Sequence, residues 1–427
     1  MEQQAIIALA IFLITYGLII AEKIHRTIVA MLGAIAVVVF GIVSVDSAIM
    51  HHIDFNTLGL LIGMMIIVGV TAKTGLFSYV AMVAAKKAKG EPVKIMIALA
   101  VVTAIASAFL DNVTTVLLIV PVSFSIARQL KVHPFPFLFT QILASNIGGT
   151  ATLIGDPPNI MIGSAVKELT FMAFISNLTP IIIIIMLVHI PIFIIMFRKK
   201  LQTTEEYTRN IMNTDISGLI TDRPLLNRSL IVLGLTIVGF FLHQTLHLES
   251  SVVALAGAFV LLLLAGEHAM EDALTKVEWT TIFFFVGLFT LVGALVDTGI
   301  VSDLAVKAMD LTGGNVAASA MLILWMSAIA SAFLDNIPFV ATMIPLIQEM
   351  GNMGVSNLEP LWWSLALGAC LGGNGTLIGA SANLITAGLS AKEGYPITFL
   401  KFLKYAFPLM LLSIVISSIY VYLRYLL

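Results

Sequence analysis

An all-α, polytopic membrane protein written as two inverted copies is the fold class this sequence predicts. Three observations carry that prediction. Hydrophobic residues make up 59% of the 427 residues and charged residues only 11%, against about 25% charged in a soluble protein. Uncharged runs such as 4–21, 181–197 and 229–242 are on the scale of the ~17–25 residues that cross a bilayer core, and they lack the alternation of barrel strands. Finally, "AIASAFLDN" stands at 104–112 and again, letter for letter, at 328–336.

The repeat extends well beyond that nonapeptide. At an offset of 224, "DFNTL" (54–58) meets "EWTTI" (278–282), Gly63 meets Gly287, Pro121 meets Pro345, and "IGGTATLIGDPPN" (147–159) meets "LGGNGTLIGASAN" (371–383). Past a four-residue insertion near 390–396, "TFMAFISNLTP" (170–180) meets "TFLKFLKYAFP" (398–408). The chain therefore divides into a first repeat (1–197), a polar linker (198–228) that reads as solvated, and a second repeat (229–427).

The first repeat has predicted spans near 5–21, 28–43, 57–72, 136–165 and 172–197. The second has them near 228–247, 252–266, 280–296, 361–389 and 400–426. The first run begins at residue 4 with no basic stretch before it and no small-residue cleavage site after it, so it reads as a retained span. Between the third and fourth spans of each copy lie two apolar stretches with only Asp-Asn between them, 95–110 with 113–127 and 319–334 with 337–347. They read either as two full spans with Asp-Asn at the far surface or as a re-entrant hairpin. Lys and Arg cluster at 22–26, 86–94, 128–131 and 198–200, and are missing from 46–54. The positive-inside rule then puts both termini outside and the linker in the cytoplasm. An odd number of crossings turns the second copy upside down. Inverted repeats with interrupted helices are the pattern of secondary transporters with sites near the midplane.

The chemistry concentrates in four segments. A carboxylate at membrane depth costs at least ~2.5–3.5 kcal/mol, which an occupied cation site or protonation offsets. Asp111, Asn112, Thr114 and Thr115, and Asp335 with Asn336 in the second copy, are candidates; the bland alternative is that the two aspartates only cap the helices that follow. "GGTATLIGDPPN" breaks a helix with Gly148, Gly149 and two prolines. Its freed carbonyls, with Asn146, Thr150, Thr152, Asp156 and Asn159, are oxygen ligands suited to a hard cation. The second copy offers Gly372, Gly373, Asn374, Thr376, Ser381 and Asn383. Sodium is expected at Asp111, Asn112, Asp156, Asn159, Asp335, Asn336, Asn374 and Asn383, with sodium, protons or both as coupling ions and no other cofactor. Asp156 has no carboxylate counterpart, and Asn146 is matched by Cys370. His189, Lys73 and Asp297 read as packing or anchoring groups. The one cysteine excludes a thiol cage. No phosphate-binding loop, HExxH motif or nucleophile–base pair points to ATP use or an enzyme, and no basic run points to nucleic acid.

"SAFLDNVTT", "NIGGTATLIGDPPN", "SAFLDNIPFVATMIP" and "GACLGGNGTLIGASAN", in that order, resemble the ion transporter superfamily. The resemblance lies in the branch of arsenite permeases, NhaD-type sodium–proton antiporters and P-protein-like permeases, and is closest to the last. It implies re-entrant hairpins whose tips meet the broken helices. One site would be built from Asp111, Asn112, Thr114 and the 148–159 loop, the other from Asp335, Asn336 and the 372–383 loop. It also implies an elevator motion of a transport domain (95–165 and 316–389) against a scaffold (1–72 and 229–296) that forms a homodimer. Dicarboxylate-transporting relatives carry Ser-Asn-Thr where this chain has Asp-Asn. With two or three carboxylates and no intramembrane arginine expected, a dianion is disfavoured unless bound cations neutralise the site. Cation/proton antiport is the leading expectation, and an anion or oxyanion permease, such as arsenite efflux or chloride or carboxylate transport, is the alternative.

Overall fold

The computed structural model describes residues 2–21, 23–266 and 268–427; Met1, Glu22 and Glu267, which fall within the predicted repeats, lie outside the described residues. The chain is helical throughout that range, and nine of the described helices are long and apolar enough to cross a membrane. The first copy runs Glu2–Ala21, Arg26–Val39, Phe55–Ala72, Leu76–Lys87, the pair Pro92–Phe109 and Asn112–Leu130, the pair Phe135–Gly149 and Pro157–Ala165, and Phe171–Phe197. The second runs Arg223–Leu242, Ser250–Ala265, Trp279–Asp297, Ile300–Thr312, Val316–Phe333 with Asn336–Asn352, Glu359–Gly372 with Ser381–Lys392, and Phe399–Val421.

Both Asp-Asn pairs sit at chain reversals. Leu110 (φ −122°, ψ 165°) and Leu334 (φ −118°, ψ 152°) leave the helix in extended conformation, and the next residue caps the following helix. Each reversal is sewn to the break of its own broken helix. In the first copy Ser107 Oγ donates to the Ser145 carbonyl at 2.6 Å and Thr152 Oγ1 donates to Ala108. In the second, Ser331 donates to Ala369 at 2.6 Å and Thr376 to Ala332 at 2.5 Å. The tips thus stand level with the middle of the broken spans. Five crossings separate the bases of the two hairpins, so the hairpins enter from opposite faces. Their tips nonetheless line one cavity, which puts both inside the helical layer. The re-entrant reading holds, and the Asp-Asn pairs are not surface loops.

The two copies are interlocked rather than side by side. Helix Arg26–Val39 packs on Trp279–Asp297, and Ser250–Ala265 packs on Phe55–Ala72. Glycine makes both approaches possible: a Cβ on Gly287 would meet the Ala30 carbonyl carbon at 2.7 Å, and one on Gly63 would meet that of Ala254 at 2.6 Å. Likewise the second arm of each hairpin packs on the second half of the other copy's broken helix.

The polar segment joining the repeats is mostly exposed, and it carries a short helix. Residues Glu205–Asn213 form a helix against the first hairpin and its preceding arm. Ile211 and Leu201 are buried, Thr203 Oγ1 donates to the Leu130 carbonyl at 2.6 Å, and Thr221 N donates to the Thr74 carbonyl at 3.0 Å. Two apolar anchors and a few backbone bonds hold a segment whose polarity concealed it.

Candidate functional site

Asp111 and Asp335 do cap helices. Asp111 accepts from Thr114 N at 2.7 Å and Thr114 Oγ1 at 2.5 Å, and Asp335 Oδ1 accepts from Ile337 N at 3.1 Å. Capping consumes only part of a carboxylate's acceptor capacity, so it does not exhaust either group. The neighbouring asparagines turn inward. Asn112 Nδ2 donates to Asn146 Oδ1 at 3.1 Å, and Asn336 Nδ2 donates across the repeats to Asp156 Oδ1 at 3.3 Å.

Asp156 is fully buried, and its Oδ2 has no hydrogen-bond partner. It stands in extended conformation just before Pro157, where Gly155 and Gly149 press backbone on backbone: a Cβ on Gly155 would meet the Gly149 carbonyl oxygen at 2.4 Å. Such a buried, unsatisfied acceptor costs about 1–3 kcal/mol, more if charged. Among the described residues no Lys, Arg or His forms an ion pair with Asp156 or Asp111. Thr115 Oγ1, near the tip, is likewise buried without a hydrogen-bond partner among the described residues.

The remaining predicted ligands form a layer behind this centre and mostly hold the broken helices together. Asn159 Nδ2 donates to the Thr150 and Thr152 carbonyls at 3.1 and 2.8 Å, and Asn383 Nδ2 donates to Gly373 and Thr376 at 2.7 and 2.8 Å. These are the carbonyls that the breaks would otherwise free. Asn146 ties the halves by donating to Asn374 and Asn383 Oδ1 at 2.9 and 3.0 Å, and Cys370 Sγ lies 3.5 Å from Asn159 Oδ1. Thr150 Oγ1 returns to its own helix at Asn146, 2.7 Å away. Gly148 and Gly372 admit the hairpin backbone; a Cβ there would lie 2.1 and 2.5 Å from the Ala104 and Ala328 carbonyl oxygens. Groups of the first half-site therefore share one cavity with Asn336 and Ser381 of the second, while Asp335 stands beside it. A cavity of about 20 Å³ is lined by Asp111, Asn112, Asp156, Asn336, Ser381 and Glu278, room for one water-sized occupant.

One expectation is corrected. Arg26, counted as a cytoplasmic loop charge, reaches the site: its Nη1 pairs with Asp335 Oδ2, which also accepts from Ser381 Oγ at 3.1 Å. The guanidinium lies 4.9 Å from the centre of the Phe284 ring. Arg26 borders both the small cavity and a neighbouring one of about 560 Å³, whose walls include Tyr16, His25, Glu278 and Asp335. A signal was available. Arg26 opens an apolar helix with no acid in its first turn, where the helix dipole disfavours a cation and a carboxylate partner is favoured. Glu278, the counterpart of Asp54, was likewise passed over; it binds Thr281 Oγ1 at 3.0 Å.

The lesser candidates have ordinary partners. His189 bonds the Ile185 and Leu409 carbonyls at 2.8 and 3.3 Å. Lys73 pairs with Asp272, and Asp297 with His52 at 2.9 Å, rather than with each other.

A family model described as "Citrate transporter" (CitMHS) matches residues 16–368. An uncharacterized transporter of Mycobacterium bovis is 44% identical over 426 residues, covering 99% of both chains. The mouse P protein is 36% identical over 501 residues, which cover 98% of this chain and 60% of P protein; the human P protein is 34% identical. Among solved structures, the YdaH transporter of Alcanivorax borkumensis superposes with a TM-score of 0.61 over 98% of this chain and 97% of its own, at 13% identity, a likeness of fold alone. Inverted repeats around a shared internal site, together with these matches along nearly the whole length, establish the chain as a membrane-embedded secondary transporter, not an enzyme, of the citrate transporter (CitMHS) family within the ion transporter superfamily.

Proposed function

We propose that the chain exchanges a small cation, sodium, for protons across a prokaryotic-type plasma membrane. The observation that carries this reading is Asp156, a fully buried carboxyl with one oxygen unpartnered at a cavity of about 20 Å³. Such a group alternates between a bound proton and a bound cation, because either one relieves the cost of an isolated buried charge. Asp111, Asn112 and Asn336 line the same cavity and supply further oxygens for a hard ion. Hairpins and broken helices packed on one another suit a transport domain (95–165 and 316–389) that moves against a scaffold (1–72 and 229–296) dimerised through its outer helices. On the positive-inside rule both termini lie outside and the linker lies in the cytoplasm.

Arg26 favours a second reading, an anion or oxyanion permease. The family description names citrate, and the arginine borders the larger cavity. Against it, Arg26 is engaged by Asp335, and Glu278 stands in the same wall, so a multivalent anion meets more negative than positive charge. Proteoliposomes with an entrapped pH dye separate the two. Sodium added outside moves protons on the first reading. A proton flux indifferent to sodium, with citrate or arsenite accumulating instead, overturns it.

A further inference from the structure

The two half-sites are not charged alike. Both oxygens of Asp335 are engaged: Oδ1 by Ile337 N at 3.1 Å, and Oδ2 by Ser381 Oγ at 3.1 Å and by the Arg26 guanidinium. Among the described residues Asp111 has only the neutral donors of Thr114, and Asp156 has only neutral neighbours, the Asn336 amide and the Cys370 thiol. Three differences between the copies underlie this: Asp156 faces Ala380, Ser381 stands where the first copy has Pro157, and an arginine is present on one side only. Arg26 opens its helix where the second copy has Ser250, and Ser251 N binds Asn56 Oδ1 at 2.9 Å instead of reaching toward Asp111.

We propose that Arg26 is the resident counterion of the second half-site. Its guanidinium takes the place beside Asp335 that a bound cation takes beside Asp111 and Asp156, so one chain holds a single cation, at the first half-site. The guanidinium reaches Asp335 from helix Arg26–Val39, rests on the Phe284 ring at 4.9 Å, and has the cavity of about 560 Å³ at its back. About a quarter of its side chain is exposed, against 9% for Asp335. A guanidinium cannot be deprotonated in a protein, so this charge is permanent, unlike a bound ion, and Asp335 stays paired whatever the sodium concentration, with Glu278 a second carboxyl in the same wall. Substrate selectivity follows. The second half-site offers a neutral ion pair rather than a bare carboxylate, and an anion is admitted only by displacing Asp335 from Arg26.

The inference rests on the cation-coupled reading for the first half-site only; the pairing at the second is read separately. The test uses the purified full chain in detergent, with radioactive sodium binding per chain and the thermal midpoint in sodium against choline chloride. Wild type and R26K bind one sodium, lost in D156N. R26Q melts lower without sodium, binds one ion more than wild type, and gains an additional sodium-dependent stabilisation that R26Q/D335N lacks. Equal binding numbers in R26Q and wild type overturn the inference. No binding in wild type but one ion in R26Q overturns the functional reading and leaves the inference standing. Should R26Q fail to fold, D335N reads the same pairing with opposite sign. It strands the guanidinium, so its midpoint rises in chloride over gluconate while that of wild type does not; a D335N without that anion response overturns the inference.

Discussion

Asp156 is the residue at which burial and charge conflict most sharply. One oxygen accepts a single long bond from Asn336 at 3.3 Å and the other accepts none. The isosteric Asp156→Asn keeps a hydrogen-bonding oxygen and removes the ionisable group, and with it the cost of a buried charge, while placing an NH2 where the unpartnered oxygen stood. The expected outcome is a thermal midpoint equal to or above wild type, with sodium-driven proton flux in proteoliposomes falling to background. Retained flux removes Asp156 from the coupling step. Asp156 was legible in the sequence because the repeat makes it conspicuous: a carboxylate where the other copy has Ala380. Arg26 was not, because counting lysines and arginines for topology assigns every charge between two spans to the loop, whereas this one belongs to the helix that follows. The asparagines were visible as polar groups, but residue type carries no direction, and their amides proved to clamp loop carbonyls.

At the scale of elements, each hairpin is held by backbone contact that side chains would block. Gly148→Ala places a Cβ 2.1 Å from the Ala104 carbonyl oxygen, and the nearby atoms are rigid backbone. Overpacking of this kind costs typically ~1–3 kcal/mol, so the variant is expected to melt several degrees lower and to transport poorly. Gly388→Ala is the control: it lies within helix Ser381–Lys392 with nothing within 4 Å of the added carbon. Alanine there is expected to gain roughly 0.5–1 kcal/mol of helix stability and leave transport unchanged. Equal melting of the two variants would refute the close-contact account. The breaks themselves were legible from "GGTATLIGDPPN" and "GGNGTLIGASAN", because glycine and proline act locally. The helix Glu205–Asn213 was not, since only Leu201 and Ile211 anchor it among polar neighbours.

Orientation belongs to the whole molecule, and the composition makes it measurable. The single cysteine, Cys370, is fully buried, so the native chain gives a low background to a membrane-impermeant maleimide. On the proposed orientation, with both termini outside, Asp46→Cys, between the second and third spans, is expected to label in intact cells. Ser217→Cys, in the segment joining the repeats, is expected to label only after the cells are opened. The reverse pattern inverts the topology. The repeat and its inversion were legible from the 224-residue offset and the lysine pattern. The exchange of partners between copies was not, because like-patterned halves leave open whether each packs on itself or on its twin.

That exchange has a consequence for how the protein is made. The groove at Gly63 is filled by Ala254 and that at Gly287 by Ala30, so the first half leaves the ribosome with its close-contact faces bare and keeps them so until the second half has been inserted. A nascent chain halted in the segment joining the repeats would hold small-residue grooves open to lipid, or to another half-length chain in the opposite sense. Synthesised as two polypeptides cut within that segment, the halves have reason to find each other, because each carries the surface that the other lacks.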